Sequence, residues 1–146
     1  MNSALVPADF DVPLTFEGPG FRLEPLGPEH NDRDHAAWSG SIEHIRSTPG
    51  FPDGDWPSPM TLERNLEDLV RHARDFEIRK GFTYSILDGD AVIGCVYIYP
   101  KKDSEGVAEV SSWVIEERAD LDRVVFDCLS EWLADWPVEI EYDARP

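Results

Sequence analysis

Cysteine is nearly missing from this sequence: Cys95 and Cys128 are the only two. Each sits inside an apolar pattern, so both read as buried reduced thiols rather than a disulfide framework, and the expected compartment is the cytoplasm. Lysine is almost as scarce. Lys80, Lys101 and Lys102 are its whole complement among 13 basic residues, against 30 acids and a formal net charge of −17. Nucleic acid and anionic membrane surfaces need clustered cations, so neither is an expected partner. No apolar run is long enough to span a bilayer. The start, residues 1–12, has neither the basic patch nor the apolar stretch of a secretory leader. Also absent are the Gly-x-Ser-x-Gly elbow, a Walker-type phosphate loop and a dinucleotide fingerprint. His30, His35, His44 and His72 lack metal-ligand spacing and no cysteine joins them, so no metal is expected.

What remains is a globular mixture. The 146 residues are 41% hydrophobic and 29% charged, enough for one domain with its own core. Residues 1–20 are rich in Pro and Gly and read as an N-terminal arm, and residues 21–146 as a single domain. Residues 21–26 alternate as a short strand. Ala37, Trp38, Ile42 and Ile45 then recur at helical spacing. Residues 48–59 hold four prolines and two glycines, a loop. From Thr61 to Lys80, the residues Leu62, Leu66, Leu69, Val70, Ala73 and Phe76 fall on one helical face, which is expected to be the buried one. Ser58 is the expected cap and Gly81 the stop. Strands follow at 82–87 and 91–99, joined through Asp88-Gly89-Asp90, and at 107–115. The strand at 91–99 is apolar on both faces, hence central. A helix from Asp120 to Trp136 carries an apolar stripe from Leu121 to Trp136, and Pro137 ends it. Residues 138–142 alternate as a last strand.

This order resembles the GNAT superfamily of acyl-CoA-dependent N-acetyltransferases. Trp113-Val114 followed by Arg118 is similar to the end of that family's fourth strand and the start of its cofactor loop. The segments HAAWSGSIEHIR (35–46), FTYSILDGD (82–90), VIGCVYIYP (92–100) and AEVSSWV (108–114) also read like chains of that group. The resemblance implies an α/β fold with a mixed, mostly antiparallel five-stranded sheet flanked by helices. It is C-terminally shortened, since the usual final helix and two strands do not follow. Acetyl-CoA would then lie, as cosubstrate, in the splay between the fourth and fifth strands, touching Trp113, Val114 and Arg118.

The departures bear on that function. The family loop is glycine-rich, so that backbone N–H groups at a helix N-terminus hold the coenzyme pyrophosphate. Here the loop is Arg118-Ala119-Asp120-Leu121-Asp122-Arg123, without a glycine and with two aspartates where phosphate would sit. Asp120 is expected to cap the helix, and acetyl-CoA to bind weakly or not at all. Glu109 has two readings: a general base for an amine, as the resemblance implies, or a solvent-facing residue on a half-exposed sheet. Tyr142 stands where a family general acid would protonate the leaving thiolate, or is a packed core tyrosine. Trp38, Arg46 and Trp56 belong to the segment that covers the acceptor pocket in the family. Two functions follow: acetyl transfer to an amine by direct attack, or a non-catalytic domain that has lost coenzyme binding and holds a small molecule or a protein. A homodimer is also expected, through apolar sheet surface at Tyr97, Tyr99 and Trp113.

Overall fold

A computed structural model of the chain describes residues 5–52 and 55–145. The first four residues of the arm and residues 53–54 of the long loop lie outside it. The elements run β1 (Phe16–Gly18), β2 (Phe21–Pro25), a 3-10 turn (Pro28–His30), α1 (Asn31–Ser39), α2 (Ile42–Arg46), α3 (Leu62–Glu77), β3 (Phe82–Asp88), β4 (Ala91–Pro100), β5 (Val107–Val114), a 3-10 turn (Glu116–Arg118), α4 (Leu121–Leu133) and β6 (Glu139–Tyr142). The sheet has the order β1-β2-β3-β4-β5-β6. Every pairing is antiparallel except β5 with β6. The mixed, mostly antiparallel sheet is as expected, but it has six strands rather than five. The extra strand is β1, in the arm. Leu5 and Val6 of that arm are buried in the core, and Arg79 donates to the Pro7 and Phe10 carbonyls.

Strand alternation divides the interior in two. Tyr84, Ile86, Val96, Ile98, Val110 and Val114 pack with Val125, Leu129 and Leu133 of α4. On the opposite face Cys95 and Trp113 pack with Leu26, Trp38, Ile45, Phe51 and Leu69. Having a core on each face explains the near-continuous apolar run of β4. Gly94 is required there because a Cβ would collide with the Trp113 carbonyl of the neighbouring strand.

The long helix α3 departs most from expectation. Leu62, Leu66 and Val70 are exposed, whereas Asn65, Leu69 and Asp75 are buried. The helix is turned so that His72 and Asp75 face Thr83, Tyr97 and Tyr99, a polar sheet surface that accepts its polar stripe. Its cap is Thr61, which accepts from the Arg64 N–H, not Ser58. Its stop is Arg79, at φ 62°, not Gly81. Asp120 holds the N-cap position of α4 but makes no side-chain cap hydrogen bond. Trp113 is fully buried, and Tyr97 and Tyr99 are half-buried, Tyr97 beneath the 48–60 loop.

Candidate functional site

Between α1, α3, the 48–60 loop and the face of β4 lies a cavity of about 350 Å³. The loop contributes Phe51 and Trp56, β4 contributes Tyr97, α1 contributes Asp34, and α3 contributes Asp68 and His72. The three rings form one cluster, with centroids 6.0 Å (Phe51–Trp56), 6.3 Å (Trp56–Tyr97) and 6.5 Å (Phe51–Tyr97) apart. Trp56 is backed by Trp38 at 5.6 Å and Trp113 at 5.9 Å. Trp113 in turn donates its indole N–H to the Tyr97 hydroxyl at 3.0 Å. Prolines give this loop its shape, and Arg46 pins it by donating to the Asp55 and Pro57 carbonyls.

The helix side of the cavity is polar and connected. Asn65 accepts from the Trp38 indole at 3.0 Å and donates to Asn31 at 2.9 Å and to Asp34 at 3.0 Å. Asp34 is 4% exposed. Its burial raises the carboxyl from 3.8 to about 6, although the Asn65 hydrogen bond works the other way. Among the described residues it has no Lys or Arg partner within ion-pair distance, whereas Asp68 is paired with Arg71 at 3.6 Å. His72 is held neutral: burial lowers its pKa to about 4. Its Nδ1 lies 2.8 Å from the Tyr99 hydroxyl, which donates to Asp75 at 2.8 Å. Since the tyrosine proton goes to Asp75, that contact places a proton on Nδ1 and leaves Nε2 an acceptor.

A second feature lies where β5 and β6 part. Their parallel pairing ends at Val110–Tyr142. Beyond that point the Arg145 side chain, 1% exposed, fills the gap. Its Nη2 donates to the Ser112 carbonyl at 2.7 Å and to Ser112 Oγ at 3.1 Å, and its Nε to Asp122 at 2.7 Å. Its guanidinium carbon sits 5.9 Å from the Phe126 ring centroid and 5.7 Å from that of Tyr142. The loop before α4 turns on itself: the N–H groups of Arg118, Ala119 and Asp122 donate to the carbonyls of Ile115, Glu116 and Ala119. Asp122, in the first turn, complements the helix dipole from within the chain.

The residues singled out from sequence divide into three groups. Trp38, Trp56 and Trp113 come together at the cavity, with Arg46 fixing the loop above them. Tyr142 faces the gap instead, against Ser112 and Phe126, and burial pushes its hydroxyl up to about 12. Val114 packs toward α4. Glu109 is exposed, opposite Tyr99 and Glu141 in the sheet and outside the cavity lining. Arg118 points to the β3–β4 hairpin, where it is paired with Asp88 at 2.7 Å. Sequence reading missed Asp34, Asn65, Asp68, His72 and Arg145. The spacing of Asn65, Asp68, His72 and Asp75 along α3 was a signal for a polar inward stripe; Arg145 carried none. Among the described residues no metal-ligating cluster occurs and no helix is long and apolar enough to cross a membrane.

No protein-family model matches the chain, and no curated protein sequence does. Solved structures do. The ribosomal-protein-S5-alanine acetyltransferase of Vibrio fischeri superposes with a TM-score of 0.64 at 14% identity, over 84% of this chain and 67% of that one. The ribosomal L7/L12 α-N-protein acetyltransferase RimL in complex with coenzyme A gives 0.63 at 13%, over 84% and 66%. The microcin C7 self-immunity acetyltransferase MccE in complex with acetyl-CoA and AMP gives 0.66 at 9%, over 81% and 63%. The chain therefore has the GNAT acyltransferase fold, and spans about two thirds of the length of these enzymes.

Proposed function

We propose that this chain is a small-molecule-binding module on the N-acetyltransferase fold, with its coenzyme slot closed by its own Arg145. The observation that carries this reading is the guanidinium held between Asp122 and Ser112, in the gap where the fold would lodge acetyl-CoA. An acyl-CoA entering that gap must break a buried ion pair and leave Asp122 facing its phosphates. A carboxylate a few Å from a phosphate costs on the order of 1–4 kcal/mol, depending on exposure. Arg118, the one family cation retained in the loop, is engaged with Asp88. The net charge of −17 opposes a polyanion further, within the roughly 8–10 Å that salt leaves unscreened. The ligand site is then the cavity under Trp56, whose loop Arg145 also meets by donating to the Pro49 carbonyl at 3.4 Å. Two free thiols support a reducing, cytoplasmic setting.

The transferase reading is favoured by the coenzyme-bound neighbours. It requires the gap to open, Glu109 to serve as base and Tyr142 as acid. A thiol-release assay with acetyl-CoA and a panel of primary amines separates the two. The binding-module reading expects no turnover above the hydrolysis blank. Sustained, amine-dependent release of coenzyme A contradicts it.

A further inference from the structure

We propose that the cavity between α1, α3 and the Trp56 loop binds a small alkylammonium ion, held against the rings of Phe51, Trp56 and Tyr97 and the carboxylate of Asp34. The inference rests on the reading of this cavity as the ligand site and adds the chemistry of its occupant. The volume, about 350 Å³, suits a ligand of small-metabolite size. Among the described residues its charged groups are Asp34 on α1, Asp55 on the loop, and Asp68 and Arg71 on α3. Of these, three carboxylates face one guanidinium, and that guanidinium is already paired with Asp68.

Asp34 is the group that asks for a partner. It is almost fully buried, its one described hydrogen bond comes from the neutral Asn65, and no Lys or Arg among the described residues pairs with it. A buried carboxylate without a cation is costly unless something brings the cation in. Three aromatic rings line the same cavity, and an aromatic face attracts a cation while it sheds water from the ligand's methylene or methyl groups. His72 stays neutral, so it adds no positive charge to oppose such a ligand, and its Nε2 is free of the proton that Nδ1 carries. The acidic surface raises the local concentration of any cation. A neutral aliphatic would gain only the apolar contact with the rings, and an anion would meet the carboxylates.

The test uses the full chain and three probes: choline, tetramethylammonium, and 3,3-dimethylbutan-1-ol, the uncharged isostere of choline. Titration calorimetry or amide chemical shifts give the affinities at constant ionic strength. Choline and tetramethylammonium are expected to saturate one site, and the alcohol to bind at least about tenfold more weakly. Asp34→Asn, which keeps the Asn65 hydrogen bond and removes a buried charge, should weaken choline by about tenfold while the protein stays folded. Trp56→Ala should weaken it further, with far-UV circular dichroism confirming the fold. Equal affinity for choline and the alcohol, no saturable binding of either cation, or binding indifferent to Asp34→Asn overturns the proposal. Acetyl-CoA binding is measured apart: tight binding defeats the closed-slot reading and leaves the cation result standing, while failure of the cation probes leaves the closed slot intact.

Discussion

Arg145 Nε lies 2.7 Å from Asp122 Oδ2, so an ion pair with the arginine side chain 1% exposed ties the last described residue to the first turn of α4. The pair ties the segment after β6 to the helix and fills the gap between β5 and β6. Removing one partner strands the other. Arg145→Ala is expected to lower stability by about 2–4 kcal/mol, somewhat less than for a pair with both members buried, because Asp122 is 23% exposed. Urea denaturation measures it. A double-mutant cycle with Asp122→Ala should give a coupling of about 1–2 kcal/mol, whereas purely additive losses would mean that the pair is not formed.

Asp34 and His72 predict a cancelling pair of pH effects. Asp34 has a folded pKa raised from 3.8 to about 6. Its contribution is fully present below 3.8 and lost as pH rises through 6. His72 is lowered from 6.5 to about 4, so its contribution is present above 6.5 and lost as pH falls through 4. The charges acting on Asp34 are His35 and Asp68, with Asn65, Cys95 and Tyr97 also close. Between pH 4 and 6.5 the two slopes oppose each other. Asp34→Asn should therefore stabilise the protein at pH 7, by on the order of 2–3 kcal/mol, and leave a variant that weakens steeply with acid. His72→Gln should do the reverse, leaving the Asp34 slope unopposed so that the variant gains stability as pH falls from 6 toward 4. Chemical denaturation across pH 4–8 checks both signs.

The face of α3, which buries Leu69 and packs Phe76 on the core but exposes Leu62, Leu66 and Val70, predicts an asymmetry that the hydropathy pattern alone would invert. Leu66, 39% exposed, should tolerate replacement by Gln within about 0.5 kcal/mol. Asn65 is buried and joins Trp38, Asn31 and Asp34. Asn65→Ala leaves an indole N–H and a buried carboxylate without a partner, and should cost about 2–4 kcal/mol. Comparable urea midpoints for the two variants would contradict this orientation of the helix.

The sequence carried the sheet and α4 well, and the site in part. The strands alternate or run apolar as their burial requires, and the stripe from Leu121 to Trp136 is the stripe that packs. Trp38, Trp56 and Trp113 were legible as an aromatic cluster because aromatics in a proline-rich loop and on adjoining elements tend to meet. The inward face of α3 was legible only at Leu69 and Phe76. Periodicity ranks faces by hydropathy, and here a polar sheet surface and a cavity reward the polar face instead. Arg145 was invisible for a different reason: one arginine three residues past a strand has no local signature, and its role comes from Asp122 and Ser112, far away in the chain. The missing glycines at 118–123 were legible and pointed to a weakened coenzyme site. The contacts of that loop differ from the expectation, since Asp120 makes no cap hydrogen bond and Asp122 is engaged by Arg145.

Isothermal titration of acetyl-CoA into the unmodified chain tests whether the gap between β5 and β6 is closed to acyl-CoA. Lost N–H contacts and local repulsion are expected to remove on the order of 3–5 kcal/mol, or two to four decades of affinity. No measurable heat of binding is expected through the high-micromolar range, with a signal emerging in the Asp122→Ala/Arg145→Ala double variant. A low-micromolar dissociation constant for the unmodified protein would contradict it and restore the acetyltransferase reading.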